Sequence, residues 1–198
     1  IAQWNLSRFA ETLLPLLHAD QDRAVRLAQA TIDGFTEQFE AAYLKHFCSK
    51  LGLATLQAGY ETLIATLLEA IAAHQSDFTN TFLALGYRLD GECAPPAHLP
   101  ALEAIVAPEW WPQWRRRLAE ERDAPPQQRE RMRGHNPVII PRNHQIEAIL
   151  EAAVADDLAP LNRLMPLLIE PWRETFNHRP YQSPPAPHEI VEATFCGT

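Results

Sequence analysis

Several features that would assign this sequence to a specialised class of protein are missing from it. It contains no run of 18 apolar residues, which excludes a transmembrane helix, and it shows no signal peptide. Basic residues number 17 against 25 acidic ones, and the net charge of −8 argues against a general nucleic-acid or anionic-membrane surface. The 198 residues, 46% of them hydrophobic and 21% charged, are typical of a globular protein with a buried core.

Cysteine and histidine are too sparse for most metal or disulfide chemistry. The three cysteines, Cys48, Cys93 and Cys196, are too few and too scattered for a disulfide framework or a zinc site, so a reducing, cytoplasmic compartment is expected. The eight histidines are isolated, and no His-x-x-x-His, Cys-x-x-Cys or Glu-x-x-His pair occurs. The sequence therefore predicts no metal site in this chain.

The short motifs that mark common catalytic sites are also missing from the sequence. It has no Gly-rich phosphate loop, no Gly-x-Ser-x-Gly and no kinase-type Asp-Phe-Gly. We therefore nominate no catalytic residue. Because position 1 is Ile and the chain starts inside a helical pattern, we expect a fragment of a longer protein.

Helical periodicity dominates what is present. No stretch shows the sustained alternation of a half-buried strand, whereas several repeat apolar residues at steps of three and four, which predicts an all-α fold. The longest stripe predicts one helix from Asp22 to about Lys50, roughly 40 Å long, with Gly34 as a tolerated weak point. Ser76 or Asp77 is expected to cap a later, shorter helix.

The chain is predicted to form a single module over residues 1–198, an irregular array of helices. Its best candidate for an internal break is the loop near 90–100, which contains a Pro-Pro pair. From residue 171 onward the sequence is rich in proline, so we expect an irregular tail over 171–198.

An extended segment, which we call the strap (residues 136–142), interrupts the helical pattern. Pro137 and Pro141 hold the residues before them away from helical backbone angles, so most of the strap should be extended. Residues 138–140 are apolar and no partner strand is nearby, so the strap must be buried against helices. We expect it to lie across the helical array and to be followed by a helix that Asn143 caps.

The end of the strap permits two interpretations. Arg142, Asn143 and His144 offer a guanidinium, an amide and an imidazole, which together could bind a phosphate or carboxylate at a helix N-terminus. The interpretation we favour is a structural turn, in which Asn143 caps the helix and Arg142 bonds to backbone carbonyls.

A cluster of aromatic and basic residues likewise permits two interpretations. Interleaved tryptophan and arginine can form a platform for single-stranded nucleic acid. Acidic residues follow at once and cancel the positive field, so we favour a helix with packed tryptophans and solvated arginines. The residues concerned are Trp110, Trp111, Trp114, Arg115, Arg116, Arg117, Glu120, Glu121 and Asp123.

Two motifs near the C-terminus resemble one known family. The strap and the start of its helix read NPVIIPRNH (136–144), and the chain ends in TFCGT (194–198). Both resemble the C-terminal region of the selenoprotein O (YdiU) family, and the opening IAQWNLSRFAETLLPLL (1–17) resembles the segment that follows that family's kinase-like core. KLGL (50–53) and DFTNTF (77–82) fit it less tightly. The positions that carry the resemblance are Asn136, Pro137, Arg142, Asn143, His144, Phe195, Cys196 and Gly197.

The resemblance implies a function for a larger protein. Members of that family have a kinase-like fold, bind ATP with Mg²⁺ or Mn²⁺, and transfer AMP to hydroxyl side chains of protein substrates. The motifs for that chemistry would precede Ile1, so this chain would be a helical C-terminal module that braces the kinase-like core. A face left bare by loss of that core could be covered by self-association. The alternative is a free-standing helical scaffold that binds proteins and has no catalytic activity.

Cys196 is the one residue to which the resemblance gives a regulatory role. On the residues alone, an inert terminal thiol is favoured, because reactivity requires a lowered pKa. In the family this position is Cys or selenocysteine and is implicated in redox control of the active site. The resemblance therefore implies that Cys196 pairs with a cysteine of the preceding polypeptide, not with Cys48 or Cys93. An independent thiol redox enzyme is disfavoured because no Cys-x-x-Cys is present.

Overall fold

We describe the fold from a computed structural model of the chain, which covers residues 1–90, 96, 98–172 and 175–191, without the side chains of residues 90 and 176. Throughout these residues the regular structure is helical and no strand is present, so the predicted all-α fold is confirmed. None of the helices in the described part is long and apolar enough to cross a membrane. The chain divides into two compact units, Ile1–His46 and Phe47–Thr198.

The first unit is built from α1 (Ala2–Leu17), α2 (Gln21–Asp33) and the beginning of α3 (Phe35–Lys50). α1 and α2 pack against each other. Asp20 caps α2, since its carboxylate accepts a hydrogen bond of 2.8 Å from the backbone N–H of Arg23.

The predicted single helix from Asp22 to Lys50 is wrong at one point. The helix ends at Asp33 and a new one begins at Phe35, with Gly34 between them. Glycine loses more backbone entropy in a helix than any other residue, so a long helix breaks most readily there. The apolar stripe continues across the break, which is why periodicity alone could not reveal it.

The second unit contains the end of α3 and the remaining helices. The α-helices are α4 (Tyr60–Ala73), α5 (Phe78–Asp90), α6 (Trp110–Glu120), α7 (Pro125–His135), α8 (Asn143–Val154), α9 (Ala159–Ile169) and α10 (Arg179–Gln182), and short 3-10 helices span Leu102–Ala104, Phe176–His178 and Pro187–Glu189. α4 packs on α6, α5 on α7 and α8 on α9. Part of the predicted break near 90–100 and part of the predicted tail lie outside the described residues, so both stay predictions.

Buried tryptophans tie α6 to the rest of the second unit. The indole N–H groups of Trp110 and Trp114 donate to the carbonyls of Leu63 and Leu51, each at 2.9 Å. Both rings are almost completely buried. Arg117 bonds Glu120 and a loop carbonyl at the surface. Trp111 is partly buried, so the predicted packing of the tryptophans is confirmed. The predicted solvation holds for Arg115 and Arg116, which are exposed, whereas Arg117 is partly buried.

Gly52 ends α3 at a position where only glycine fits. Its φ is +82°, a left-handed conformation that side chains rarely adopt. A Cβ there would lie 3.3 Å from the Gln128 carbonyl oxygen and 3.3 Å from side-chain atoms of Leu118 and Met132. The end of α3 can therefore approach α6 and α7 closely enough for Trp114 to reach the Leu51 carbonyl.

The strap crosses the second unit as the sequence predicts. Its residues are non-helical, and Asn136 and Arg142 at its two ends have extended backbone angles. Val138 and Ile139 are buried in a cluster with residues of α8 and α9. The backbone N–H of Val138 donates to the carbonyl of Pro171 at 2.6 Å.

Candidate functional site: the strap and its anchors

The strap begins at a hydrogen-bonded link between Asn136 and Lys50. The buried Asn136 amide donates to the Lys50 carbonyl at 2.9 Å, and its oxygen accepts from the Lys50 ammonium at 3.3 Å. The same ammonium donates to the carbonyl of His135 at 2.9 Å. It also lies 5.6 and 5.2 Å from the ring centres of Phe78 and Phe82. Burial in this setting lowers the pKa of Lys50.

The strap ends at an ion pair between Arg142 and Asp77. The two terminal nitrogens of the guanidinium donate to the two carboxylate oxygens at 2.6 and 3.1 Å, a bidentate arrangement. Arg142 is only 7% exposed. Burial raises the pKa of Asp77, but the hydrogen bonds from Arg142 and the Asn80 N–H and the Arg142 charge outweigh it and leave that pKa lowered.

Asp77 also begins α5. Its carboxylate accepts the backbone N–H of Asn80 at 2.8 Å, which confirms the predicted cap. One carboxylate thus starts a helix and holds the end of the strap. Lys50 and Asp77 were not predicted as partners of the strap, because they lie 86 and 65 residues away from Asn136 and Arg142 in sequence. KLGL and DFTNTF, which contain them, were the available signals.

The predicted turn at the start of α8 is wrong in two details. Arg142, not Asn143, occupies the N-cap position, and no side chain caps the helix. Asn143 is the first helical residue and is exposed. The Arg142 guanidinium binds a carboxylate rather than backbone carbonyls, because a charged acceptor fixed at the start of α5 forms stronger hydrogen bonds.

Polar atoms around this ion pair lack partners among the described residues. The Asn80 amide donates to the carbonyl of Gln182 at 3.0 Å, which joins α5 to α10. The side-chain oxygens of Asn80 and Gln182, and the Nε of Arg142, are buried without a hydrogen-bond partner in the described structure. Two acceptors and a donor of this kind can be satisfied by an ordered internal water.

Comparison with known proteins identifies the family. The family model described as protein adenylyltransferase SelO matches residues 1–168. The chain belongs to the SelO family. A protein nucleotidyltransferase YdiU of Rhodopseudomonas palustris (strain BisB5) is 42% identical over 204 residues, covering 100% of this chain and 41% of that protein. One of the same name from Bradyrhizobium diazoefficiens is 41% identical over 199 residues, covering 100% and 40%. The chain thus spans about two fifths of the length of these SelO relatives.

The described residues of this SelO chain offer no preformed cluster of metal ligands. They contain no group of three or more His, Cys, Asp or Glu side chains placed to hold a metal ion. The buried or partly buried carboxylates are already used: Asp77 by Arg142, Asp123 by Arg131, and Glu121 by the backbone N–H groups of residues 54 and 55. No step of nucleotide chemistry is therefore assigned to these residues.

Only one of the three cysteines, Cys48, lies in the described part of the chain. Its thiol is free and buried, and burial, with added effects from the charges of Glu121 and Glu61, raises its pKa to about 11. A thiol of that kind is almost fully protonated at neutral pH and is a poor nucleophile. Cys196, Phe195 and Gly197, together with Cys93, lie outside the described residues.

Proposed function

We propose that this chain is a helical supporting and regulatory module of a SelO-family protein adenylyltransferase. The complete protein would bind ATP with Mg²⁺ or Mn²⁺ and transfer AMP to hydroxyl side chains of other proteins in the cytoplasm. Family membership supports this proposal, and the YdiU relatives are named as protein nucleotidyltransferases. About three fifths of their length has no counterpart in this chain, and the proposal places nucleotide binding there.

The observation that carries the supporting role is the exposed apolar surface of the first unit. α1 buries none of its residues and α2 buries only Ala24. Trp4, Phe9 and Phe39 are 64%, 60% and 54% exposed. Large apolar side chains left open to solvent in this number are typical of a surface that binds another polypeptide.

An aromatic row on α3 gives this surface a defined shape. The rings of Phe35, Phe39 and Tyr43 follow one another at four-residue steps, with centres 5.8 and 6.1 Å apart. Residues four apart lie on one face of a helix. We assign this face to contact with the kinase-like core of the same protein.

The second unit adds exposed apolar residues on α8 and α9 and in the turn between them. Leu150 and Val154 on α8, Leu158 just before α9, and Ile169 on α9 are exposed. Their neighbours on the same helices, Ile149 and Leu164, are buried against the strap. The inner sides of α8 and α9 therefore build this unit, while their outer sides are available to a partner.

Calorimetry with ATP and Mg²⁺ tests where the nucleotide binds. We expect no saturable heat of binding for the 198-residue chain and saturable heat for the full-length protein. Binding by the chain itself would contradict the proposal.

The alternative function, a free-standing scaffold, is tested separately by the coding sequence upstream of Ile1. A start codon there supports the scaffold, and an in-frame kinase-like segment refutes it.

Hydrogen–deuterium exchange tests the supporting role. We expect amides of α1 and of the part of α3 that carries the aromatic row to exchange more slowly in the full-length protein than in the isolated chain. Trp110–Glu120, which is already packed inside the second unit, is the internal control and should exchange equally in both. Equal exchange of α1 and α3 in the two proteins would refute contact through this face.

Regulation through Cys196 is the remaining part of the proposal. We propose that it forms a reversible disulfide with a cysteine of the preceding polypeptide. The burial and raised pKa of Cys48 favour a partner other than Cys48. Mass spectrometry of the non-reduced full-length protein checks the pairing, and a bridge from Cys196 to Cys48 or Cys93 would contradict it.

A further inference from the structure

A cavity of about 540 Å³ opens between α5 and α7 beside the start of the strap. Its floor is apolar and includes Phe82, Leu83, Met132 and Val138. Cavities of this volume, mostly apolar with a few polar groups at the edge, are typical of small-molecule sites. The strap links described above pass directly beside it, since Asn136 also lines the cavity.

Two glycines in the wall of this cavity have no structural reason to be glycine. Gly86 lies inside α5 and Gly134 in the last turn of α7. Neither has a positive φ, and a Cβ at either position would meet no atom within 4 Å. Glycine is among the least favourable residues in a helix, so nothing in the backbone or packing explains the choice. Both line the cavity, and neither adds a side chain to its wall.

The edge of the cavity is basic, whereas the chain as a whole is acidic. Arg129 and Arg133 are four residues apart on α7, and both line the cavity together with Glu130. These three side chains sum to one positive charge, against −8 for the whole chain. Both arginines have other contacts within the protein, but a guanidinium carries five N–H donors and keeps its charge. Trp172 adds a ring that is half exposed.

We propose that this cavity binds a small amphipathic organic acid, a flat apolar ring system that carries one carboxylate or phosphate. The ring system would lie on the apolar floor between Gly86 and Gly134, where the missing side chains give it room. The acidic group would face Arg129 and Arg133 at the edge. This site is separate from the proposed nucleotide chemistry, and neither depends on the other.

The probe is 2-naphthoate, titrated into the 198-residue chain by calorimetry and by two-dimensional amide NMR. We expect saturable binding with shifts centred on the Gly86 and Gly134 amides. Gly86→Leu and Gly134→Leu should each weaken binding at least about tenfold, because leucine fills the space that the ring needs. Gly34→Leu is the matched control because it is the same exchange outside the cavity. Its Cβ would lie 3.3 Å from the flexible end of Gln38 and in ordinary contact, at 3.7 and 4.0 Å, with the carbonyl oxygens of Thr31 and Ala30.

A second arm tests the acidic group. The neutral amide 2-naphthamide should bind at least about tenfold more weakly than 2-naphthoate, a difference of about 1.4 kcal/mol. Arg133→Gln should reduce this preference without abolishing binding of the amide. Circular dichroism and thermal melting confirm that each variant is folded, and either glycine variant alone suffices for the steric test.

Three results would overturn the proposal. They are absence of saturable 2-naphthoate binding, equal affinity for the acid and the amide, and unchanged affinity in both folded leucine variants. The full-length protein supplies a fourth check. Binding should persist there, and its loss would likewise overturn the proposal, because the rest of the protein would then cover the cavity.

Discussion

At the scale of single residues, the strap is held by two partly buried groups, the carboxylate of Asp77 and the ammonium of Lys50. The bidentate pair between Asp77 and Arg142 is mostly removed from water, whereas the pair between Arg88 and Glu103 has side chains 47% and 61% exposed. Removing one partner of a buried pair leaves the other charge without compensation. The two pairs lie in the same unit, so each serves as the reference for the other.

We predict that Asp77→Ala lowers the free energy of unfolding by about 3–5 kcal/mol, because it leaves the Arg142 guanidinium without its carboxylate partner and removes the cap of α5. Glu103→Ala, which breaks the exposed pair, should change it by less than about 1 kcal/mol. Urea unfolding followed by the fluorescence of the buried tryptophans measures both. Similar losses in the two variants would show that the buried pair contributes no more to stability than the exposed pair.

The lowered pKa of Asp77 gives this pair a pH dependence with a definite sign. A carboxyl whose pKa is lower in the folded than in the unfolded state stabilises the fold at pH values above its ordinary value of 3.8. That contribution is lost as the pH falls below 3.8 through the lowered folded value. We predict that the difference in unfolding free energy between the wild type and Asp77→Asn shrinks as the pH falls from 5 to 2. A constant difference over that range would contradict the assignment.

The sequence predicted the roles of some individual residues but not the partners of others. Ser76 or Asp77 was predicted as a cap because capping is local and needs only its own helix, and the structure shows that it is Asp77. The partner of Arg142 could not be predicted, because a guanidinium can bind carbonyls or any carboxylate that the fold brings near. The same holds for Asn136, whose two bonds to Lys50 depend on how α3 and α7 meet.

At the scale of elements, two glycines differ in the backbone conformation that they adopt. Gly34 separates α2 from α3 with ordinary helical angles, φ −76° and ψ −9°. Gly52 ends α3 with φ +82° and is closely surrounded. The apolar stripe and the strap were predictable from spacing and from Pro137 and Pro141. The break at Gly34 was not, because a glycine inside a stripe is compatible with one helix or two.

We predict that Gly34→Ala raises the free energy of unfolding by about 0.5–1 kcal/mol and increases the helical circular dichroism, because alanine favours a continuous helix. Gly52→Ala should lower it by about 1–3 kcal/mol, since it forces a side chain into a left-handed conformation. Chemical unfolding of the two variants gives both values. Equal effects from the same substitution at the two sites would refute this reading of the backbone.

At the scale of the whole molecule, the two units differ in how many of their apolar side chains they bury. The second unit has its own cores, around Trp110 and Trp114 and around the strap. The first unit buries almost nothing in its first two helices. Sequence periodicity found the apolar faces of both, but it could not tell a face that is covered within the chain from one that is left open.

An open apolar face should make the isolated chain associate with itself. Introducing one negative charge into the aromatic row of α3 tests whether this row is the contact surface. We predict that sedimentation velocity shows concentration-dependent association of the wild type, which Phe39→Glu weakens, because a carboxylate in the aromatic row must be desolvated on contact. Gln38→Glu adds the same charge at the preceding residue, off the row, and should associate like the wild type. The full-length protein should associate less than the chain, since its own core would cover this face. If Phe39→Glu and Gln38→Glu sediment alike, the aromatic row is not the contact surface.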